Sequence, residues 1–132
     1  MKEFAVAEWQ RATRTLASGE QLAETDPDSA ASRAYYAAFH ALTALFALRG
    51  ETFSKHASLR AALHRDLIHT GQWKADLGRA YDFLTELRET GDYGGLMRVS
   101  RDSARKALEM GAEILEAVRQ ACPELARAET GN

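Results

Sequence analysis

The chain has 132 residues, of which 45% are apolar and 27% are charged, a composition typical of one globular domain with a buried core. Its formal net charge of −2 excludes an overall positive field, so any contact with RNA must use a local cluster of cations. The single cysteine, Cys122, excludes an intramolecular disulfide and indicates a reducing compartment. No apolar run approaches the roughly 18 residues of a membrane span, and the acidic start is unlike a signal peptide. We therefore expect a cytoplasmic protein that makes no contact with a membrane.

Alanine and leucine are frequent and proline is rare, which predicts an all-α chain. The spacing of apolar residues predicts five helices. In chain order they cover residues 2–25, 29–49, 55–70, 73–90 and 101–121. Their short connections predict an up-and-down antiparallel bundle of four long helices and one shorter helix. We assign residues 1–122 to this single domain and expect residues 123–132 to fray.

Capping residues and glycines predict where these helices begin and end. N-caps are predicted at Asp28 or Ser29, at Ser54 and at Ser100. Helix-terminating glycines are predicted at Gly50, Gly71 and Gly91. The turn-forming residues 91–95 predict a loop after the fourth helix.

The second predicted helix has two opposite apolar faces. The bulky face carries Tyr35, Phe39, Leu42 and Phe46. The other face carries small residues together with Arg33 and His40. A helix with two apolar faces lies centrally in a bundle or packs on a second subunit.

Arg33 and His40 are candidates for catalysis because they lie seven residues apart on one face, about 10 Å along the helix axis. An arginine can hold phosphate oxygens, and a histidine can transfer a proton near neutral pH. RNA supplies its own 2′-hydroxyl nucleophile, so such a pair would suit a metal-independent ribonuclease. The alternative is structural: a histidine that makes a hydrogen bond inside the bundle and an arginine paired with an acid.

Other polar residues have weaker indications. Tyr36 can stack on a base or pack at an interface. Lys55 and His56 can cap the third helix or hold a phosphate there. His64 and His69 are predicted to be surface residues. They are five residues apart, without a carboxylate or thiol to complete a metal site, so we predict neither metal nor cofactor.

The segment SRAYYAAFHA, residues 32–41, resembles the signature of HEPN-domain proteins, and in particular of the small prokaryotic branch found beside minimal nucleotidyltransferases. Gly50, the segment KHAS at 55–58 and the segment LRETGDY at 87–93 agree in order and spacing. The resemblance covers about residues 5–120 of the chain. It implies the same helical bundle, usually as a homodimer.

The resemblance also implies a function. Many relatives are toxins of toxin–antitoxin pairs that cut RNA without a metal, through an Arg-x(4–6)-His motif at the dimer cleft. A neighbouring nucleotidyltransferase can silence them, in some cases by attaching AMP to a tyrosine. The leading hypothesis is therefore a toxin-like homodimer that is a candidate endoribonuclease, with Arg33 binding phosphate and His40 acting as acid or base. Its expected partners are RNA or a nucleotide and a nucleotidyltransferase antitoxin.

The chain departs from the toxin pattern at residues 88–93. Arg88 and Tyr93 match, but Asp92 stands near the position of the histidine, and its carboxylate would repel phosphate at neutral pH. This favours an alternative, a non-catalytic nucleotide- or substrate-binding companion of a separate nucleotidyltransferase chain. The binding or regulatory candidates are Tyr36, Lys55, His56, Arg88, Asp92 and Tyr93, with Tyr93 as the hypothetical acceptor of a silencing nucleotide. Two further interpretations stay open. One is that Arg49 and His56, which also fit the spacing Arg-x6-His but lie on either side of Gly50, form the site; the other is a purely structural helical dimer.

Overall fold

A computed structural model describes residues 1–93 and 98–130, with the side chains of residues 92, 93 and 130 outside that description. Six α-helices and one π-helical segment make up the regular structure of this part of the chain. They are α1 (Lys2–Leu22), α2 (Pro27–Leu48), α3 (His56–Ala62), the π-helical segment (Leu63–Ile68), α4 (Ala75–Tyr93), α5 (Arg101–Ala121) and α6 (Pro123–Thr130). The predicted all-α bundle with four long helices is confirmed. None of the helices described is both long and apolar enough to cross a membrane.

Helix α2 lies at the centre of the bundle and packs against α1, α4 and α5. The bulky residues Tyr35, Leu42 and Phe46 are buried on one side of this helix. The small residues of its other side, Ala37, Ala44 and Ala47, are fully buried as well. The two apolar faces in the sequence therefore reflect a helix that is enclosed within its own chain.

The start of α2 differs from the prediction. The helix begins at Pro27, and the Asp26 carboxylate accepts a hydrogen bond of 3.2 Å from the amide of Ser29. Proline suits the first helical position because its missing N–H needs no partner there. Asp28 instead accepts a hydrogen bond of 2.8 Å from the backbone amide of Val99, and so ties the start of α2 to the segment before α5.

The other two predicted N-caps have different outcomes. Ser100 caps α5 by accepting a hydrogen bond of 3.0 Å from the amide of Ser103, as predicted. The prediction for Ser54 was wrong, because α3 begins at His56 and the capping position falls on Lys55, whose side chain makes no capping hydrogen bond.

Two of the three glycines predicted to end helices do so. Gly50 and Gly71 have φ angles of +83° and +82°, in the left-handed region that favours glycine. Gly91 does not end a helix, since α4 continues to Tyr93. A Cβ atom at Gly91 would lie 2.9 Å from the carbonyl oxygen of Asp28. Glycine is required there by the close approach of α4 to the start of α2.

The prediction that the chain frays after Pro123 was wrong for residues 123–130, which form α6. Leu125 of this helix is fully buried in the core. Arg119 of α5 donates a hydrogen bond of 2.8 Å from Nε to Oε2 of Glu129. A buried leucine and an ion pair thus hold the short helix against the bundle.

Candidate functional site

A cavity of about 510 Å³ lies between α2, α3 with its π-helical extension, and α4. Its polar lining combines two arginines, two histidines, two tyrosines, a threonine and a glutamate. These residues are Arg60, Arg88, His56, His64, Tyr35, Tyr81, Thr85 and Glu89. Ala57 and Ala61 complete the lining. The volume is in the range of cavities that bind small ligands in proteins.

Helix periodicity explains how one wall of the cavity is built. His56, Arg60 and His64 follow one another at intervals of four residues, so they lie on one face of α3 and its extension. On α4, the lining residues Tyr81, Thr85 and Arg88 follow one another at intervals of four and three residues. They lie on the opposite side of the cavity. Two helical faces that carry basic groups therefore meet across the cavity.

Asp82 of α4 links two of these basic groups from behind the cavity lining. Its Oδ1 accepts a hydrogen bond of 2.8 Å from Nε of Arg60 and lies 3.0 Å from Nε2 of His64. Burial alone would raise the pKa of Asp82, but the hydrogen bonds from His64 and Arg60 outweigh it and hold the pKa below its usual value. The carboxylate thereby stays charged and orients the side chains of Arg60 and His64.

Gly78 provides the space that His64 occupies. A Cβ atom at this glycine would lie 2.9 Å from Cε1 and 3.2 Å from Nδ1 of the His64 ring. The absence of a side chain on α4 therefore lets the imidazole reach the carboxylate of Asp82.

The floor of the cavity is aromatic. Tyr35 of α2 and Tyr81 of α4 are both buried, with ring centres 5.6 Å apart, and burial raises the pKa of each hydroxyl. The two hydroxyls influence each other's pKa, yet the Tyr81 hydroxyl reaches no regular hydrogen-bonding geometry with any described residue. It is a buried polar group that a ligand in the cavity could satisfy.

Arg88 is held against this floor. Its guanidinium carbon lies 4.7 Å from the centre of the Tyr35 ring, a cation–π arrangement. Nη1 of Arg88 also donates a hydrogen bond of 3.3 Å to the hydroxyl of Tyr36. The stacked, hydrogen-bonded guanidinium is oriented before any ligand arrives.

His56 sits between the floor and the aromatic side of α2. Its Nδ1 is 2.9 Å from the hydroxyl of Tyr35, and its ring centre is 4.3 Å from that of Phe39. Burial, followed by the positive charge of Arg88 and the proximity of His40, lowers the pKa of His56. The imidazole is therefore neutral at pH 7 and can exchange a proton with a neighbouring group.

These features define what the cavity can do chemically. Two guanidinium groups suit the oxygens of a phosphate, and aromatic rings suit a nucleobase or sugar. His56 and His64 are the groups that can move a proton there. The arrangement fits an anionic ligand with an unsaturated ring.

Arg33 and His40 lie outside this cavity and have separate partners on α1. Nη1 of Arg33 donates a hydrogen bond of 2.9 Å to the hydroxyl of Ser18. Nδ1 of His40 lies 3.0 Å from Oε1 of Glu8, and both side chains are largely buried. Ser18 and Glu8 are ten residues apart, about 15 Å along a helix, so α1 holds the two groups apart. The catalytic role of this pair stays a prediction.

The binding and regulatory candidates are partly brought together. His56 and Arg88 line the cavity, and Tyr36 contacts both of them from outside the lining. Lys55 is exposed and does not line the cavity. Asp92 and Tyr93 belong to the last turn of α4, but their side chains lie outside the described part of the chain.

Sequence reasoning missed Arg60, His64, Tyr81 and Asp82. His64 was predicted to be a surface residue; its side chain is partly exposed, at 29%, and also pairs with Asp82. The four-residue spacing of His56, Arg60 and His64 was a signal that could have identified this basic face.

Comparison with known proteins gives a consistent result. The model of the HEPN domain family matches residues 6–121 of the chain. A UPF0332 protein of Thermotoga maritima is 32% identical over 129 residues, which cover 96% of this chain and 98% of that protein. The crystal structure of TT1696 from Thermus thermophilus has a TM-score of 0.74 at 23% identity, covering 88% of this chain and 96% of that one. The last similarity concerns the fold alone.

Proposed function

This chain belongs to the HEPN domain family, and we propose that it binds the phosphate of a nucleotide or RNA in the cavity between α2, α3 and α4. One observation carries the proposal: the guanidinium groups of Arg60 and Arg88 and the imidazoles of His56 and His64 line the same aromatic-floored cavity. A chain of net charge −2 needs such a local cluster to bind a phosphate.

Both arginines are prepared for this role. Nε of Arg60 donates a hydrogen bond to Asp82. Its two terminal nitrogens make no hydrogen bond with the residues that the structure describes. Arg88 is stacked on Tyr35. Pre-oriented donors lose little freedom when a ligand binds, so their contacts contribute more of their energy to affinity.

Titration with 5′-AMP, followed by calorimetry and by the NMR signals of the histidine rings, tests this proposal. We expect the signals of His56 and His64 to move and Arg60→Ala to raise Kd about tenfold, the loss of one charge-assisted contact. The matched control is Arg79→Ala, since Arg79 is an exposed arginine of α4 paired with Asp76, outside the cavity. The proposal would be contradicted if the two substitutions changed Kd equally. It would also be contradicted if the wild-type protein bound neither 5′-AMP nor an RNA oligonucleotide.

A second candidate function is metal-independent cleavage of RNA. The lowered pKa of His56 favours it, because a neutral imidazole beside two guanidinium groups can accept the proton of a 2′-hydroxyl. Total RNA incubated with the protein in EDTA tests this function. Loss of cleavage in His56→Ala would assign the activity to the cavity. Loss of cleavage in Arg33→Ala and His40→Ala would assign the activity to the side of α2 that faces α1. Intact RNA with the wild-type protein would exclude it.

Homodimer formation and pairing with a nucleotidyltransferase antitoxin are further parts of the proposal, supported by the resemblance of residues 32–41 and 87–93 to that branch of the family. Light scattering of the purified chain tests the dimer. Co-expression with a minimal nucleotidyltransferase, followed by mass spectrometry, tests the pairing and a nucleotide attached to Tyr93. A monomer that neither co-purifies with this partner nor gains mass would contradict these parts.

A further inference from the structure

Glu89 is the one acidic residue among the described residues that line the cavity. It is exposed, and its carboxylate makes no hydrogen bond or ion pair with any residue that the structure describes. The other exposed lining residues, Ala57 and Ala61, lie on α3 and carry no charge. Glu89 therefore places a negative charge on the α4 side of the rim, while the Arg60 side chain, which is 40% exposed, places a positive charge on the α3 side.

The interior of the cavity has the opposite character. Arg88 is half-buried over the ring of Tyr35, and the buried Tyr35 and Tyr81 close the floor. A phosphate that reaches Arg88 must therefore enter past the rim. The atoms that connect this phosphate to the rest of its ligand must cross the same rim.

A terminal phosphate and an internal one differ in this crossing. A terminal phosphate monoester has its ligand on one side only, and it carries a charge between about −1.5 and −2 at pH 7, by analogy with a phosphorylated side chain. An internal phosphodiester carries a single negative charge, and the strand must cross the rim in both directions with its next phosphates close to Glu89. The negative charges of these phosphates and of Glu89 repel each other, although solvent and salt weaken the repulsion.

We propose that Glu89 is a specificity-determining residue that restricts the cavity to a terminal phosphate monoester of a nucleotide. The monoester belongs either to a free mononucleotide or to the phosphorylated end of an RNA strand. This inference rests on the proposed function, because it selects among phosphate ligands of the same cavity. Glu89 is the group that disfavours internal positions of RNA.

Three probes at low ionic strength test the inference: 5′-AMP, a 5′-phosphorylated RNA trinucleotide, and the same trinucleotide without its terminal phosphate. We expect wild-type protein to bind both monoesters about tenfold more tightly than the unphosphorylated strand, the difference that one charge-assisted contact makes. The ratio of Kd values for 5′-AMP and the phosphorylated strand distinguishes a free nucleotide from a strand end.

The variant Glu89→Gln isolates the proposed role, and Glu86→Gln is its control on an exposed, non-lining position of the same helix. In Glu89→Gln, affinity for the unphosphorylated strand should rise about threefold relative to 5′-AMP, the size expected for one exposed charge, and Glu86→Gln should leave this ratio unchanged. A wild-type preference for the unphosphorylated strand, or equal ratios in the two variants, would overturn the inference and leave the proposed function standing. Failure of all three probes to bind would overturn both.

Discussion

Nε2 of His64 lies 3.0 Å from Oδ1 of Asp82, a contact between the π-helical segment and α4 that joins residues 18 positions apart in the sequence. The same oxygen accepts the hydrogen bond of Arg60. One carboxylate thus orients an imidazole and a guanidinium toward a shared cavity. Asp82 is a positioning residue, because it does not itself line the cavity.

Substitution of Asp82 by asparagine should make the stability of the protein less dependent on acid pH. The pKa of Asp82 is lowered in the folded protein, so its contribution to stability is present above its unfolded pKa of about 3.9 and is lost as the pH falls through the folded value. We expect Asp82→Asn to lower the free energy of unfolding by about 1 kcal/mol at pH 7, a value reduced for partial exposure. Urea unfolding at several pH values measures it.

The control for this experiment is Asp76→Asn, which breaks an exposed ion pair with Arg79 and should have no measurable effect. A difference between Asp82→Asn and wild type that persists undiminished below the folded pKa of Asp82 would contradict the role given to its charge.

Substitution of Gly78 by alanine should displace His64 without unfolding the protein. The new Cβ atom would lie 2.9 Å from Cε1 of the ring, the movable end of a side chain, so the ring can turn away at the cost of its bond to Asp82. We expect shifted His64 signals in NMR spectra and weaker binding of 5′-AMP. In a His64→Ala background the Cβ atom still lies 3.2 Å from Cγ1 of Ile68, so the same substitution should cost less stability there than in the wild type, with helix propensity offsetting part of the contact. An unchanged His64 signal in Gly78→Ala would contradict this account.

The pH dependence of stability near neutrality should depend on His56. Its pKa is lowered in the folded protein, so the unfolded chain binds more protons between the folded pKa and its usual value of about 6.5. Stability should therefore fall as the pH falls below about 6.5, and His56→Gln should reduce this fall. Urea unfolding over the range from weakly acidic to weakly basic pH measures it, with the exposed His69→Gln as control. An equal reduction in both variants would contradict the assignment to His56.

Substitution of Gly91 by alanine should destabilise the bundle. Here the new Cβ atom would meet the backbone carbonyl of Asp28 at 2.9 Å, and a backbone atom cannot turn away as the ring of His64 can. We expect a loss of roughly 1–3 kcal/mol, typical of overpacking, which exceeds the gain of about 1 kcal/mol in helix propensity. Thermal unfolding compared with Gly78→Ala measures the effect, and a variant at least as stable as wild type would show that the two helices separate easily.

Local patterns in the sequence were enough to predict the all-α fold, the four long helices and the two apolar faces of α2. Each of these follows from the order of residues along one helix, since apolar periodicity depends only on neighbours within a few turns. The terminators Gly50 and Gly71 were predictable for the same reason, because a left-handed φ is a property of one residue. The segments at residues 32–41, 55–58 and 87–93, in that order, also indicated the family.

The tertiary structure decided which helical faces meet. Periodicity places His56, Arg60 and His64 on one face of α3 and its extension, but it does not say that this face lies opposite Asp82 and Arg88. Arg33 and His40 share a face of α2, yet packing against α1 gives them different partners, Ser18 and Glu8. Likewise, only the approach of α2 explains Gly91. Contacts between distant segments depend on how the whole core packs, and that information is spread over the chain and is absent from any single helix.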